Sequence, residues 1–429
     1  MEIVKSDKVS LKQIFKENWN AFRKKHPDLI QWYMAFNIWK VINCRESDGL
    51  GFTAFACSVH PDQICYVPNS CKSRFCSVCA KVQIDKWVAA MNRLFPNCPY
   101  YHITFTVPSQ FRTLLFEKKE LLNAVFKAAA QTLLSFCKEQ GFLPAITAVM
   151  HTFGDDLKRH IHVHCIISTG GLKLSGRQLR YKRRKKNGRI KIKKLNILHK
   201  WVEHSYFPYK MLRKRYQALL IKYLKEMINK NIRSDKPDPD LKVFAEPSVM
   251  KSFVDDLITQ YNKGFFVWVS EKRQMLKPTI AYIGRYARRP PISEVRISGY
   301  DGDNVAFTFT DKTTKNGKNL SYKTTWQLKT FEFIKRLIRH IPPHYFNVIR
   351  HYGIIASRVK RKYKKITDKL LGRAYGVKKF KNWQQRQTEY HNGQNPMICK
   401  VCQSLMEFIG VHRPFRFSTV KKAFKERYA

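Results

Sequence analysis

Acidic residues are scarce in this chain of 429 residues. It contains 31 aspartates and glutamates against 81 lysines and arginines, which gives a formal net charge of +50 at pH 7. Packing a hydrophobic core does not require such self-repulsion, whereas a polyanionic partner relieves it. Because every neutralised phosphate releases counterions, nucleic acid is the expected partner, with an anionic membrane as the alternative.

Long apolar runs are also missing. No stretch approaches the roughly 18 apolar residues of a membrane-spanning helix, and no basic amphipathic anchor is present. The N-terminal segment mixes charges with short apolar pairs and lacks the apolar centre of a signal peptide. These absences predict a soluble, intracellular protein without a membrane partner. No internal repeat is visible either.

The cysteines do not form a regular disulfide pattern. They number eleven, six of them fall between Cys44 and Cys79, and a late pair forms Cys399-x-x-Cys402. In a reducing cytosol this clustering favours metal ligation over disulfides.

The early cysteine block has the spacing of a structural zinc site. Cys57-x-x-His60 precedes Cys71, Cys76 and Cys79, so two ligand pairs flank a loop of suitable size. Cys57, His60, Cys76 and Cys79 form the simplest set of four ligands, and Cys71 is the main alternative. Cys44, further upstream, leaves room for a second ion, and the late Cys-x-x-Cys pair is only half a site.

Apolar periodicities predict both strands and helices. Strands are expected at 100–108, 145–153, 160–168 and 264–270. Helices are expected at 81–94, 117–140, 206–229, 279–288 and 327–339, and a hairpin at 293–311 with an Asp-Gly-Asp-Asn turn.

Three histidines alternate along the third strand. Successive strand side chains point to opposite faces, so His160, His162 and His164 share one face while Ile161 and Val163 point to the core. Neutral imidazoles bind divalent metals such as Mn, Co and Zn, and Mg with help from oxygen ligands. The spacing therefore predicts a metal site; the alternative is three partly exposed histidines on an edge strand.

Further ligands lie near this strand. His151, at the end of the preceding strand, can complete the site if the two strands form a hairpin. Asp155 or Asp156 in the connecting loop could serve instead. His102 on the first strand is a weaker candidate, because a lone strand histidine is more often structural.

Two tyrosines lie four residues apart, at Tyr282 and Tyr286. On a helix these positions share a face, so both hydroxyls can reach one site. A metal that polarises a phosphodiester, with a cation such as Arg285, lowers the barrier to phenolate attack and yields a phosphotyrosine. Such a pair also occurs by chance in helix cores, but the histidine strand and the charge favour catalysis.

Residues 180–194 contain ten cations and no acidic residue. We interpret this segment as an exposed arm or long hairpin that contacts the DNA backbone, with a solvated loop as the alternative. The cations at its start are Arg180, Lys182, Arg183, Arg184, Lys185 and Lys186.

Together these segments resemble the rolling-circle transposases of insertion sequence ninety-one type, in the nuclease superfamily named for its His-hydrophobic-His strand. The matching stretches follow one another over most of the chain, at 69–79, 102–108, 151–154, 160–171, 282–297 and 332–353. Ile161 and Ser77 stand where proline is common, and Thr169-Gly-Gly171 replaces a longer glycine run. None of these departures removes a catalytic group.

The resemblance implies an α+β fold in which helices flank an antiparallel sheet that bears the histidines. His162 and His164 would hold a divalent metal (Mg or Mn), with His151 as a further ligand, and Tyr282 and Tyr286 would be nucleophiles. It also implies cleavage of single-stranded DNA at element ends and rolling-circle-like transposition. This would occur in a prokaryotic cytoplasm, at the nucleoid, with host replication machinery as a further partner.

Three units are expected on this basis. A helical and zinc-binding DNA-recognition module spans 1–95. The nuclease core spans 96–312 with a basic insertion at about 172–240, and a basic helical region with the late cysteine pair spans 313–429.

Two other functions remain compatible with the sequence. A plasmid-type replication initiator or relaxase would use the same chemistry, and gene context would distinguish it. A non-catalytic zinc-finger protein would explain the charge and the cysteines but would leave the histidine strand and the tyrosines without a role.

Overall fold

Helices and antiparallel strands alternate along the protein. The computed structural model describes residues 9–174, 197–272, 284, 290–315, 318–373 and 381–428. The helices are α1 (Leu11–Lys25), α2 (Trp32–Ile42), α3 (Ser47–Leu50), α4 (Ser77–Leu94), α5 (Ser109–Glu117), α6 (Leu122–Glu139), α7 (Tyr209–Ile232), α8 (Pro247–Gln260), α9 (Thr330–Arg339), α10 (Lys360–Leu371), α11 (Trp383–Tyr390) and α12 (Phe417–Arg427). The strands are β1 (Phe52–Ala56), β2 (Ile64–Pro68), β3 (Tyr100–Thr106), β4 (Phe142–Phe153), β5 (Arg159–Leu174), β6 (Ile197–Val202), β7 (Val267–Val269), β8 (Ile297–Tyr300), β9 (Asn304–Lys315), β10 (Lys318–Lys329), β11 (Ile349–Gly353) and β12 (Glu407–His412).

The central sheet has the strand order β11-β4-β5-β3-β7, and β6 pairs with β5 in addition. Every pairing in this sheet is antiparallel. The predicted α+β fold with an antiparallel sheet is therefore confirmed.

The alternating side chains of β5 divide between the two faces of this sheet. Ile161 and Val163 lie in the largest buried cluster, which joins the sheet to α6 and α7 through side chains such as Phe126 and Tyr216. The opposite face carries the histidines, and farther along β5 it carries Ile166, which packs in a second cluster with α4. Helices thus pack on both faces of the central sheet.

The C-terminal region adds strands to the sheets formed by earlier segments. β11 is an edge strand of the central sheet, and β12 pairs with β1 in a sheet of order β12-β1-β2. A third sheet, β10-β9-β8, packs with α1, α2 and α9 around Trp19, Phe22, Phe307 and Phe333. The region after 313 was expected to be helical, but β10 is a strand because its β-branched and aromatic residues alternate with polar ones. The domain limits themselves stay a prediction.

Most of the predicted elements are present. The strands expected at 100–108, 145–153 and 160–168 are β3, β4 and β5, and 264–270 contains β7. The helices expected at 81–94, 117–140, 206–229 and 327–339 correspond to α4, α6, α7 and α9. The predicted hairpin at 293–311 is formed by β8 and β9, and Asp301 accepts the backbone N–H of Asn304 in its turn.

Among the described residues, no helix combines the length and the apolar character needed to cross a membrane.

Candidate active site and zinc centre

Strands β4 and β5 form the hairpin that brings His151 to the histidine strand. His151 lies opposite His162, and Val149 lies opposite His164, in an antiparallel register. One ring nitrogen of each of the three histidines lies within 4.8 Å of the other two. His151 and His164 are buried. The hairpin therefore gathers three imidazole nitrogens on one face of the central sheet, in an arrangement that could hold a metal ion.

Hydrogen bonds fix the orientation of two of these rings. Nδ1 of His162 lies 3.0 Å from the carbonyl oxygen of His160, to which its N–H donates, so Nε2 carries the lone pair. Nδ1 of His164 lies 2.8 Å from Nε2 of His102, and Oγ1 of Thr104 lies 3.3 Å from both nitrogens. Metal-ligating histidines commonly engage their second nitrogen in this way, which fixes the tautomer.

The sequence ranked His102 as a weak candidate, whereas the structure places its ring next to that of His164. The register of β3 against β5 places Thr104 opposite His164, with His102 two positions away on the same face. The rings of Trp268 and His102 also pack in a T-shaped arrangement, with ring centroids 5.4 Å apart. The period-two spacing of His102 and Thr104, on a strand that the sequence already predicted, is the signal that could have found this pair.

Burial keeps two of these imidazoles, those of His162 and His164, in the neutral form. Burial lowers the pKa of His162 and the pKa of His164 well below the usual value, and the neighbouring histidines lower both further. Neutral imidazole is the form that binds a metal. Three imidazole nitrogens, two of them neutral and on oriented rings, fit a divalent ion that completes its coordination with substrate or water oxygens.

His160 and the two turn aspartates do not belong to this group of three. The His160 ring lies beside the His162 ring, with centroids 4.9 Å apart, and its carbonyl accepts the hydrogen bond described above. The Asp156 carboxylate accepts a backbone N–H of its own turn, and the Asp155 carboxylate lies 3.9 Å from the Arg296 guanidinium. Both carboxylates are therefore engaged by groups other than the histidines.

A basic cleft lies at the start of the histidine strand β5. One acidic residue, Glu332, lies among six cations in its lining, and it pairs with Arg336 at 2.8 Å. The cations are Arg112, Lys158, Arg159, Lys335, Arg336 and Arg339. Lys158 and Arg159 immediately precede His160, so the cleft reaches the start of the histidine strand. Burial lowers the pKa of His160, and the charge of Arg112 lowers it further. Such a cleft favours an anion that carries several charges.

Trp268 adds an exposed aromatic surface beside the histidines. It lies on β7 opposite Thr104, on the histidine face, and 45% of its surface is exposed. An exposed indole beside the histidines is suited to stacking on an unpaired base.

The predicted nucleophiles Tyr282 and Tyr286, with Arg285, lie outside the described residues. Gly284 between them is described, and it is helical and buried. It touches α4, because a Cβ on Gly284 would lie 2.4 Å from Cγ2 of Val88. The neighbouring Trp87 packs in the cluster that contains Ile166, on the histidine face of the sheet.

The predicted DNA-contacting arm also lies outside the described residues. This applies to Arg180, Lys182, Arg183, Arg184, Lys185 and Lys186.

The early cysteines separate into two groups. Cys44, Cys71, Cys76 and Cys79 are all buried, and their sulfurs lie within 4.8 Å of one another. Three of the distances are 3.7, 3.5 and 3.7 Å, close to the edge of about 3.8 Å that four sulfurs make around a tetrahedral zinc. The backbone N–H of Cys71 donates to the sulfur of Cys44. This donor set fits structural zinc.

Cys57 and His60 are not part of that group. They lie instead beside the late pair, with the four ligand atoms of Cys57, His60, Cys399 and Cys402 within 4.8 Å of one another. The simplest set named from the sequence is thus divided between two groups. Cys44, which the sequence left as a spare, takes the fourth position in the first group. Cys57 and His60 lie in the turn of the β1–β2 hairpin, apart from that group.

Comparisons with known proteins agree with this geometry. A family model described as "Transposase zinc-binding domain" matches residues 14–107, and one described as "Putative transposase" matches residues 145–363. No solved structure matches the chain.

Two curated relatives cover most of the chain. The transposase for insertion sequence element IS801 of Pseudomonas savastanoi pv. phaseolicola is 28% identical over 326 residues, which are 76% of this chain and 70% of that protein. The protein named putative transposase y4qJ, from Sinorhizobium fredii, is 24% identical over 357 residues, which are 81% and 80% of the two chains. The chain belongs to the family of insertion sequence ninety-one transposases and carries the zinc-binding domain of that family.

Proposed function

We propose that this transposase cleaves and rejoins single-stranded DNA at the ends of its element through a 5′-phosphotyrosine intermediate. The observation that carries the proposal is the group formed by His151, His162 and His164, together with the cationic cleft at the start of strand β5. These three histidines would hold a divalent metal, Mn or Mg, and His160 would stand beside them as a reserve ligand. When bound, the ion supplies Lewis acidity at the scissile phosphate.

Tyr286 is the principal nucleophile of this proposal. Its phenolate oxygen attacks phosphorus, an O–P bond forms, and the bond from phosphorus to the 3′ oxygen breaks. The protein keeps the 5′ phosphate, and the 3′ oxygen takes up a proton to become a hydroxyl. The phosphotyrosine conserves the energy of the broken phosphodiester, so rejoining is the reverse attack and needs no ATP. Arg285 offsets charge at the phosphate.

Tyr282 receives the second cleavage of the cycle. The freed 3′ hydroxyl primes displacement synthesis by the host replication machinery, and transposition is rolling-circle-like. The reaction takes place in the prokaryotic cytoplasm, at the nucleoid. We take Tyr286 as the principal nucleophile because enzymes that resemble this chain but have one tyrosine retain the second of the two tyrosine positions.

Two surfaces support a single-stranded DNA substrate. The cations of the cleft, such as Arg112 and Arg159, can neutralise phosphates on the path to the histidines. Trp268 presents an exposed indole on the sheet face that carries the histidines, and an unpaired base can stack on it. A duplex would keep its bases inside the stack and would leave this indole unused. The arm at 180–194 would add backbone contacts.

A covalent-adduct assay tests the proposal. Labelled single-stranded element ends are incubated with the full chain and Mn²⁺ or Mg²⁺, and the adduct is digested and mapped. We expect DNA on a peptide from 279–288, no adduct with Tyr286→Phe, and first-strand cleavage retained with Tyr282→Phe. His162→Ala should abolish cleavage while DNA binding persists, because the basic surfaces supply most of the affinity. Attachment of DNA elsewhere in the chain would refute the mechanism.

A further inference from the structure

The group formed by Cys57, His60, Cys399 and Cys402 has the dimensions of a metal site. The sulfurs of Cys57 and Cys402 are 3.4 Å apart, and Nδ1 of His60 lies 3.8 Å from the sulfur of Cys57 and 3.9 Å from that of Cys399. A tetrahedral zinc requires about 3.6 Å between sulfur and nitrogen and about 3.8 Å between sulfurs. A disulfide would require about 2 Å, so these thiols are not bonded to one another.

Both ligand pairs stand at the tips of tight turns that face each other. In the first turn the backbone N–H of His60 donates to the sulfur of Cys57, and the N–H of Gln63 donates to the carbonyl of His60. In the second turn the N–H of Cys399 donates to the carbonyl of Ser404, next to a bridge between Ile398 and Leu405. Each turn presents two ligand atoms on one side, as a four-ligand site needs.

The small core around these turns is too slight to hold them alone. Its buried members are Phe55, Cys57, Val67, Met397, Cys399 and Met406, so two of the six are ligands. Apolar residues of the attached strand β12 remain exposed, such as Phe408 and Ile409 at 61% and 57%. Modules with so little buried apolar surface usually depend on a metal or a disulfide.

We propose that Cys57, His60, Cys399 and Cys402 bind a second zinc ion, which fastens the C-terminal strand β12 to the N-terminal strand β1. Cys57 and Cys402 are 345 residues apart in sequence, and the late pair lies outside both ranges matched by family models. The ion sits where β1 ends and β12 begins, and the two strands pair from there along their length. Zinc binding and the docking of the C-terminal region are then one equilibrium.

Zinc counting on the purified full-length chain tests the proposal. We expect two zinc ions per wild-type chain and one in Cys399→Ser. Cys71→Ser removes the other ion and should also leave one. Cys65→Ser is the matched control, because Cys65 packs against the same small core without belonging to either group, and it should retain two.

Double variants show whether distant cysteines share one ion. Cys57→Ser combined with Cys399→Ser should still bind one zinc, whereas Cys71→Ser combined with Cys399→Ser should bind none. Two ions in Cys399→Ser, or none in the first double variant, would overturn the proposal.

A conservative change covers the case in which Cys399→Ser does not fold. His60→Cys keeps four ligands and should retain two ions. In the cobalt-substituted protein its thiolate charge-transfer absorption should increase, because one site changes from three sulfurs to four. A cobalt spectrum identical to wild type would show that His60 is not a ligand. Hydrogen exchange should also become faster in β12 of Cys399→Ser, with no change in β5.

Discussion

Gly284, which lies between Tyr282 and Tyr286 in the sequence, packs on helix α4, and this contact can be tested. A Cβ at this position would lie 2.4 Å from Cγ2 of Val88, whereas the next atoms, on the Trp87 ring, lie at 3.5 and 3.6 Å. Only one methyl group therefore stands in the way of an alanine. Overpacking of this kind costs about 1–3 kcal/mol, which weakens docking roughly 5- to 150-fold. Gly284→Ala should lower the yield of covalent adduct by a factor in this range.

Val88→Ala should rescue the substitution. It removes the clashing methyl, and the remaining contacts of an alanine at 284 with Trp87 are of ordinary length. Val88→Ala alone loses about 1 kcal/mol or less of packing, because the side chain is only partly buried. The double variant should therefore form more adduct than Gly284→Ala does, although each single change is unfavourable by itself.

The assay is a time course of adduct formation with single-stranded element ends, alongside zinc content and thermal unfolding. Zinc content should be unchanged in all three variants, which separates loss of docking from loss of folding. A wild-type adduct yield in Gly284→Ala, or a double variant that is as impaired as the single, would refute the close packing of Gly284 on α4.

Four further predictions concern other parts of the molecule. His102→Ala should weaken Mn²⁺ binding about 10- to 100-fold by titration, because it orients His164. Trp268→Ala should weaken binding of single-stranded DNA by about 1–3 kcal/mol in fluorescence anisotropy and leave duplex binding unchanged. Burial lowers the pKa of His340 to about 3, so below pH 6.5 the unfolded state binds more protons than the folded state does. This residue alone should therefore lower the free energy of unfolding by about 2 kcal/mol at pH 5. Urea titrations of His340→Gln should lack that part of the decrease. Deletion of 180–194 should flatten the salt dependence of single-stranded DNA binding by roughly 0.7 per lost phosphate contact, and an unchanged slope would remove the arm from the interface.

The histidine strand could be predicted because its pattern is local. Period-two alternation of His160, His162 and His164 with buried aliphatic residues defines a strand and its two faces without knowledge of its neighbours. Including His151 in the predicted site needed one further assumption, that β4 and β5 form a hairpin. The connecting loop of five residues is short enough to favour that hairpin. His102 depended on the register of β3 against β5, which no local pattern determines.

The division of the cysteines could not be predicted for the same reason. Spacing alone pairs Cys57-x-x-His60 with the nearest cysteines, Cys76 and Cys79, whereas the fold pairs it with Cys399. The cause is the pairing of β1 with β12, which joins the two ends of the chain and has no signature in either strand. Contacts of long sequence separation are set by the packing of the whole molecule.

The scarcity of acidic residues has a local counterpart at the candidate active site. The group of His151, His162 and His164 contains no carboxylate, and burial keeps His162 and His164 neutral, so a bound divalent ion would retain its whole charge. The neighbouring cleft adds six cations against one acid. Positive charge gathered in this way is unfavourable until an anion arrives, and a DNA strand brings one charge per nucleotide. The phosphates of the substrate would therefore supply the negative charge that the protein lacks, and the excess positive charge at the site would be neutralised when DNA binds.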